Sequence, residues 1–143
     1  MLEEELEQLF RFLRPGSRTI LYCPEEVATT VEFARRGYRL LLVHPGESFR
    51  QECRQQLRGQ GLSSLLMGGQ ETGSREQWNL AREFYDLVVF CCSPPNGLAL
   101  EELSPFLTPG ATVVCQEKSV TEVGHAFELV RALPGGTAFY RKV

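Results

Sequence analysis

The sequence predicts an α/β fold: one mainly parallel sheet, crossed over right-handedly, with helices on both faces. Three observations carry this. Strand-like and helix-like segments alternate along the chain, which favours parallel pairing through helical crossovers. The stretch Tyr85–Asn96 (YDLVVFCCSPPN) holds an uncharged run, Leu87–Cys92, rich in β-branched and aromatic residues. Such a run fits a strand buried on both faces. Pro94 and Pro95 then end the strand by removing two backbone donors.

The elements follow in order. Leu2, Leu6, Leu9, Phe10 and Leu13 recur at helical spacing, with glutamates leading and Arg11 and Arg14 trailing, and Pro15-Gly16 ends the helix. Arg18–Cys23 is the first strand. Pro24 opens a second helix, with Val27, Val31 and Ala34 inward, closed by Gly37. Arg39–Val43 is the second strand, ended by His44-Pro45-Gly46. A third helix spans Ser48–Arg58, with Ser48 and Gln51 as a capping box and Phe49, Cys53 and Leu57 inward. Leu62–Met67 is a weaker third strand, and Gly68-Gly69 with Gly73 form a turn. Ser74–Phe84 is a fourth helix anchored by Trp78 and Ala81. Another begins near Asn96 and is interrupted by Pro105. Ala111–Gln116 is a strand, Thr121–Leu133 a helix burying Val123, Phe127 and Val130, and Thr137–Lys142 the final strand.

The chain has 143 residues, enough for one domain over 1–143 with a substantial core. A net charge of -3 gives no general attraction to nucleic acid or an anionic membrane. The longest apolar runs fall far short of the roughly 20 residues that span a bilayer. The acidic start MLEEELEQLF is neither a signal nor a transit peptide, so a cytoplasmic location is expected. Five cysteines without CxxC pairing fit free thiols in a reducing compartment.

Four stretches give the chain its likeness to a known family: Phe12–Leu21 (FLRPGSRTIL), Tyr85–Phe90 (YDLVVF), Ser93-Pro94-Pro95-Asn96 and Phe106–Val114 (FLTPGATVV). In order and spacing they resemble the class I S-adenosylmethionine-dependent methyltransferases. The resemblance implies a three-layer Rossmann-like domain with strand order 3-2-1-4-5 plus a sixth strand. It also implies S-adenosylmethionine as cofactor, with Cys23, Glu25, His44, Gln70, Glu71 and Cys91 at the cofactor-binding positions. Ser93, Pro94 and Asn96 fall where the amino-methylating branch holds its target amine.

The departures from the family pattern concern function. The loop Cys23–Ala28 lacks the glycines that let backbone approach the cofactor. His44 stands where an acidic residue binds ribose. Gln70, beside Glu71, stands where an acidic residue accepts from the adenine amine; a Gln carbonyl can accept that bond. Asn96 replaces an aromatic that stacks on the target, a loss of roughly 1–3 kcal/mol in base recognition. The same turn also reads as a tight strand-to-helix connection with Asn96 as N-cap. No room for an antiparallel seventh strand is expected before Val143.

Other features read as ordinary structure. Cys23, Cys91, Cys92, Cys115 and His44 lie near carboxyl ends of strands. Strands about 4.8 Å apart spread these groups too widely for one zinc centre. They are expected to be buried thiols, with no metal. Arg50, Arg54 and Arg58 form a helical stripe, expected to be solvated. Glu25 and Glu26 are expected to serve the dipole of the second helix. The function expected is a methyltransferase-like domain with degraded cofactor motifs, weakly active or non-catalytic, binding a protein partner, a second copy of itself or another ligand. The alternatives are an active small methyltransferase using Ser93–Asn96, and a flavodoxin-like or receiver-like binding domain.

Overall fold

The computed structural model describes residues 3–72, 80–92 and 98–143. Among the described residues three α-helices form: α1 (Glu3–Phe10), α2 (Val27–Arg35) and α3 (Glu47–Gly59). Nine strands form among them: β1 (Arg18–Tyr22), β2 (Arg39–Val43), β3 (Leu66–Gln70), β4 (Tyr85–Phe90), β5 (Leu98–Ala99), β6 (Leu107–Gln116), β7 (Val120–Glu122), β8 (Phe127–Ala132) and β9 (Thr137–Lys142). Seven of them make one sheet in the order β3-β2-β1-β4-β6-β9-β8, and β5 pairs with β7 separately. The sheet is parallel from β3 to β6; β9 is antiparallel to β6, and β8 to β9. A flavodoxin-like sheet has the order 2-1-3-4-5, so that alternative is excluded.

β1 and β4 lie side by side at the centre, with Ile20 opposite Val88 and Tyr22 opposite Phe90. Alternation sends successive β4 side chains to opposite faces. Val88 enters a cluster with Ile20, Tyr22, Phe90, Leu100, Leu103 and Val113, while Val89 enters another with Leu21, Phe33, Leu40, Val114 and Phe139. Both valines are 0% exposed, as a strand covered on both faces requires. The covers differ in kind. Leu6 and Leu9 of α1, Val31 and Phe33 of α2 and Leu57 of α3 all pack into the Val89 cluster. On the Val88 face the cover among the described residues is Leu80, Phe84, the 3-10 turns Leu100–Glu102 and Ser104–Phe106, and Val120 to Phe127.

At the amino end of β4 the carboxylate of Asp86 gathers three strands. It accepts from the backbone N–H and Nε of Arg18 at 3.2 and 3.3 Å and from Thr108 Oγ1 at 2.8 Å. This fixes where β1 and β6 start relative to β4.

Several expectations are corrected. α1 stops at Phe10, and Leu13 is buried beyond its end. α3 starts at Glu47 after Gly46, with no side-chain cap, so the Ser48–Gln51 box is not formed. β3 is displaced to Leu66–Gln70, taking in Gly68 and Gly69 as strand residues. Arg50 and Arg54 of α3 lie over Gly69, where a Cβ would make only an ordinary contact of 3.5 Å with Arg50 Cδ. Of the expected helix Ser74–Phe84, residues 74–79 lie outside the described residues, and 80–84 are not helical. The expected helix from Asn96 is β5 and the two 3-10 turns over its described part.

The largest correction is at the carboxyl end. The expected helix Thr121–Leu133 is instead the end of β7 and the whole of β8. Gly124 sits at φ +74, outside helical space, and the carboxylate of Glu101 fills the place a Cβ would need. His125 N–H donates to that carboxylate at 2.8 Å. Val130, expected inside, is 53% exposed on the outer strand. Because these residues are extended, the chain does have room for the antiparallel strand: β9 inserts between β6 and β8.

Candidate functional site at the carboxyl edge of the sheet

In open α/β sheets, ligands bind outside the carboxyl ends of the strands. Here that edge is formed by Cys23 after β1, His44 after β2, Gln70 ending β3 and Cys91-Cys92 after β4. Backbone bonds knit it together. Cys23 N–H donates to Val43 at 2.7 Å, His44 N–H to Gln70 at 2.9 Å and Cys91 N–H to Tyr22 at 3.0 Å.

Cys23 has φ +53, in the left-handed region that glycine normally fills. The turn after β1 therefore keeps a glycine-type backbone without a glycine. Pro24 follows and is buried, and Glu25 and Glu26 are exposed before α2.

The His44 ring is engaged through Nδ1, which accepts from Gly46 N–H at 2.9 Å. With Nδ1 accepting, the neutral ring carries its proton on Nε2, and the Pro24 backbone lies close enough to favour the charged ring. The ring also stacks on Phe49 with centroids 3.9 Å apart and planes 7° from parallel. Burial, then the charge of Arg50, holds the His44 pKa below its usual 6.5. Arg50 Nη1 donates to the His44 carbonyl, so this arginine is not part of a purely solvated stripe. His44 thus ties the turn after β1 to the turn after β2.

Among the described residues Gln70 carries the one loose end. Its Nε2 is buried without a hydrogen-bond partner, a state that costs about 1–3 kcal/mol. Glu71 beside it is exposed.

The thiols divide between the two faces. Cys23 and Cys92 pack with the Val88 cluster, and Cys91 with the Val89 cluster. The Cys23 and Cys92 thiols are close enough to influence each other. Burial pushes Cys91 and Cys115 up to about 12. Cys92 reaches about 12 through burial, then the neighbouring Cys23 and the charge of Glu25. Tyr22 is also raised to about 12, by burial and then by Cys92 and Cys23. At neutral pH these groups keep their protons. Among the described residues no three His, Cys, Asp or Glu side chains are placed to hold a metal ion.

The expected cofactor residues therefore separate. Cys23, His44 and Gln70 line the edge over β1, β2 and β3. Glu25 and Cys91 instead line a cavity of about 270 Å³ beside α1, with Glu5, Gln8 and Gln116. Ser93, Pro94 and Asn96 lie outside the described residues. A larger concavity of about 480 Å³ opens at the opposite edge, among Arg14, Asp86, Thr108 and Arg141. None of the described residues of the expected site lines it. Sequence reasoning missed the stack of Phe49 on His44 and the thiol pair. Phe49 was read as core, and only the spacing His44-x4-Phe49 hinted at the contact.

No protein-family model and no curated protein matches the chain. Solved structures do resemble it. A proposed methyltransferase from Escherichia coli superposes with a TM-score of 0.71 at 16% identity, over 99% of this chain and 87% of that one. The N-methyltransferase NodS from Bradyrhizobium japonicum gives 0.68 at 14% identity, over 97% and 94%. A geranyl diphosphate methyltransferase in complex with S-adenosylmethionine gives 0.60 at 14% identity, over 78% and 47%. The class is thus defined by fold: a class I methyltransferase-like α/β domain, with that fold's 3-2-1-4-5-7-6 strand order.

The residues present fit S-adenosylmethionine only in part. Gln70 offers a free amide to a purine. Ribose hydroxyls need an acceptor, and the one acceptor of the His44 ring is occupied by Gly46. Glu25, beside the turn, repels a carboxylate.

Proposed function

We propose that this domain is methyltransferase-like in fold with a rebuilt cofactor site. It is weakly active or non-catalytic and serves as a module binding a partner chain, a second copy or a ligand other than S-adenosylmethionine. One observation carries the reading: the His44 ring spends its acceptor on Gly46 while stacked on Phe49. A cofactor ribose at this position must break that bond before making its own. The test is a thermal-shift series with S-adenosylmethionine and its demethylated product. A ligand at 100 times its Kd stabilises by about 2.7 kcal/mol. The expected result is no shift at tens of micromolar ligand; a clear shift in that range would overturn the proposal.

A second reading, an active small methyltransferase, has specific support. The buried Gln70 Nε2 lacks a partner and stands where the family resemblance puts adenine. Cys23 keeps the left-handed turn. In that reading Gln70 donates to a purine ring nitrogen and accepts from its amine, and Ser93–Asn96 receives the substrate. Bound S-adenosylmethionine supplies an electrophilic methyl group. Loss of cofactor binding on Gln70→Leu would support it.

A further inference from the structure

We propose that Cys23 and Cys92 form a dithiol modification site, converted to an intramolecular disulfide by exchange with a low-molecular-weight disulfide such as oxidised glutathione. The inference is independent of whether the cofactor binds. Three geometric facts carry it. β1 and β4 are parallel neighbours through Tyr22 and Phe90, and Cys91 N–H still bonds Tyr22, so the chain beyond the strands stays at strand spacing. That register sets Cys91 opposite Cys23 and Cys92 one residue further on, a diagonal of about 6 Å from the strand spacing and rise, still within the reach of a disulfide. The Cys23 and Cys92 side chains share one face and influence each other, whereas Cys91 turns to the other face. Both thiols are partly exposed, unlike Cys53 and Cys115.

The exchange runs in two steps. The Cys23 thiolate attacks oxidised glutathione; an S–S bond forms to one glutathione and the other leaves as its thiolate, taking up the proton Cys23 gave. The Cys92 thiolate then attacks the Cys23 sulfur of that mixed disulfide. The second glutathione leaves and takes up the Cys92 proton. The protein loses two hydrogens, and one oxidised glutathione becomes two reduced ones. Burial is the first cause of the raised Cys92 pKa in the reduced protein, and the neighbouring Cys23 adds to it. Blocking Cys23 as a mixed disulfide removes that second contribution. The product pins the left-handed turn after β1 to the end of β4.

The test uses the full chain, equilibrated in glutathione mixtures of rising oxidised fraction, then denatured for thiol titration and mapped by non-reducing mass spectrometry. Two of the five thiols should be lost together, with a linked peptide pair joining Cys23 to Cys92 and no glutathione adduct. Cys91→Ser should lose the same two thiols, and Cys92→Ser should instead hold one glutathione on Cys23. Retention of five thiols under a large oxidised excess would overturn the proposal. So would a Cys23–Cys91 link, dimers joined through these cysteines, or stable double glutathionylation of the unmodified chain. The mapping of the unmodified chain decides the matter even if a variant fails to fold.

Discussion

Val88 is the most exacting probe of the sheet. It is fully buried, with Ile20 opposite on β1 and Val113 opposite on β6. Truncation to Ala removes two methyl-sized groups at about 0.8 kcal/mol each, and partial collapse around the gap raises the total to about 2–3 kcal/mol. Asp is worse. Keeping a carboxyl with a normal pKa near 3.9 neutral at pH 7 costs about 4 kcal/mol, at 1.36 kcal/mol per pKa unit. The lost burial adds about 1.5–3 kcal/mol, and an unsatisfied hydroxyl about 1–3 kcal/mol. The sum, roughly 7–10 kcal/mol, matches the whole stability of a typical domain, about 5–15 kcal/mol. Urea unfolding followed by circular dichroism reads both variants. With a slope of about 2 kcal/mol per molar, Val88→Ala should lower the midpoint by about 1–1.5 M at unchanged slope, and Val88→Asp should be unfolded in buffer. A Val88→Asp protein that unfolds like the parent would refute the central placement of β4.

Three further outcomes follow from the polar contacts. Burial opposes ionisation of Asp86, but hydrogen bonds from Thr108 and Arg18 and the charge of Arg18 outweigh it, so its pKa falls below 3.8. A lowered carboxyl stabilises above its unfolded pKa and loses that contribution as pH falls through the folded value; Asp86→Asn should flatten the urea midpoint against pH below about 4. The lowered pKa of His44 leaves stability full above about 6.5, the unfolded value, and eroding below it as the unfolded chain takes up the proton first. His44→Ala should remove that slope, and an NMR titration of the parent placing His44 above 6.5 would contradict it. Cys23→Gly relieves a left-handed conformation worth about 1–2 kcal/mol but loosens the unfolded chain by about 0.5–1 kcal/mol, so the net should be within about 1 kcal/mol of zero. Combined with His44→Asp it should recover little S-adenosylmethionine binding, because Pro24 still constrains the turn; micromolar binding by the double variant would show otherwise.

Much of the sheet was legible because its central strands are short, apolar after a single charge at the amino end, and bounded by breakers. Arg39–Val43 and Thr137–Lys142 agree with the strands residue for residue, and Arg18–Cys23 overruns by one. The failures share a physical cause: local pattern and tertiary placement diverge at edges. Val123, Phe127 and Val130 repeat at helical spacing, yet β8 lies at the sheet edge, where one side is solvated and period-two burial is lost. The bulge between Leu129 and Arg131 blurs it further. Gly68 and Gly69 suggested a turn, but both are strand residues of β3, paired with Leu41 and Leu42. At the site, His44 was visible as a departure from the family pattern. Its engagement by Gly46 and Phe49 was not, since the ring orientation depends on how α3 leaves the turn after β2.

The most direct test is isothermal titration calorimetry of the unmodified, reduced chain with S-adenosylmethionine. A missing charged acceptor costs about 1.5–3 kcal/mol, and the occupied His44 together with the loop lacking glycine makes two such losses. At about 1.4 kcal/mol per decade this weakens a micromolar site by roughly two to four powers of ten. The account predicts a Kd of high micromolar or weaker, with no saturable heat at tens of micromolar ligand. Micromolar binding that disappears on mutating Gln70 or Glu71 would contradict it and establish a working cofactor site built from unusual residues.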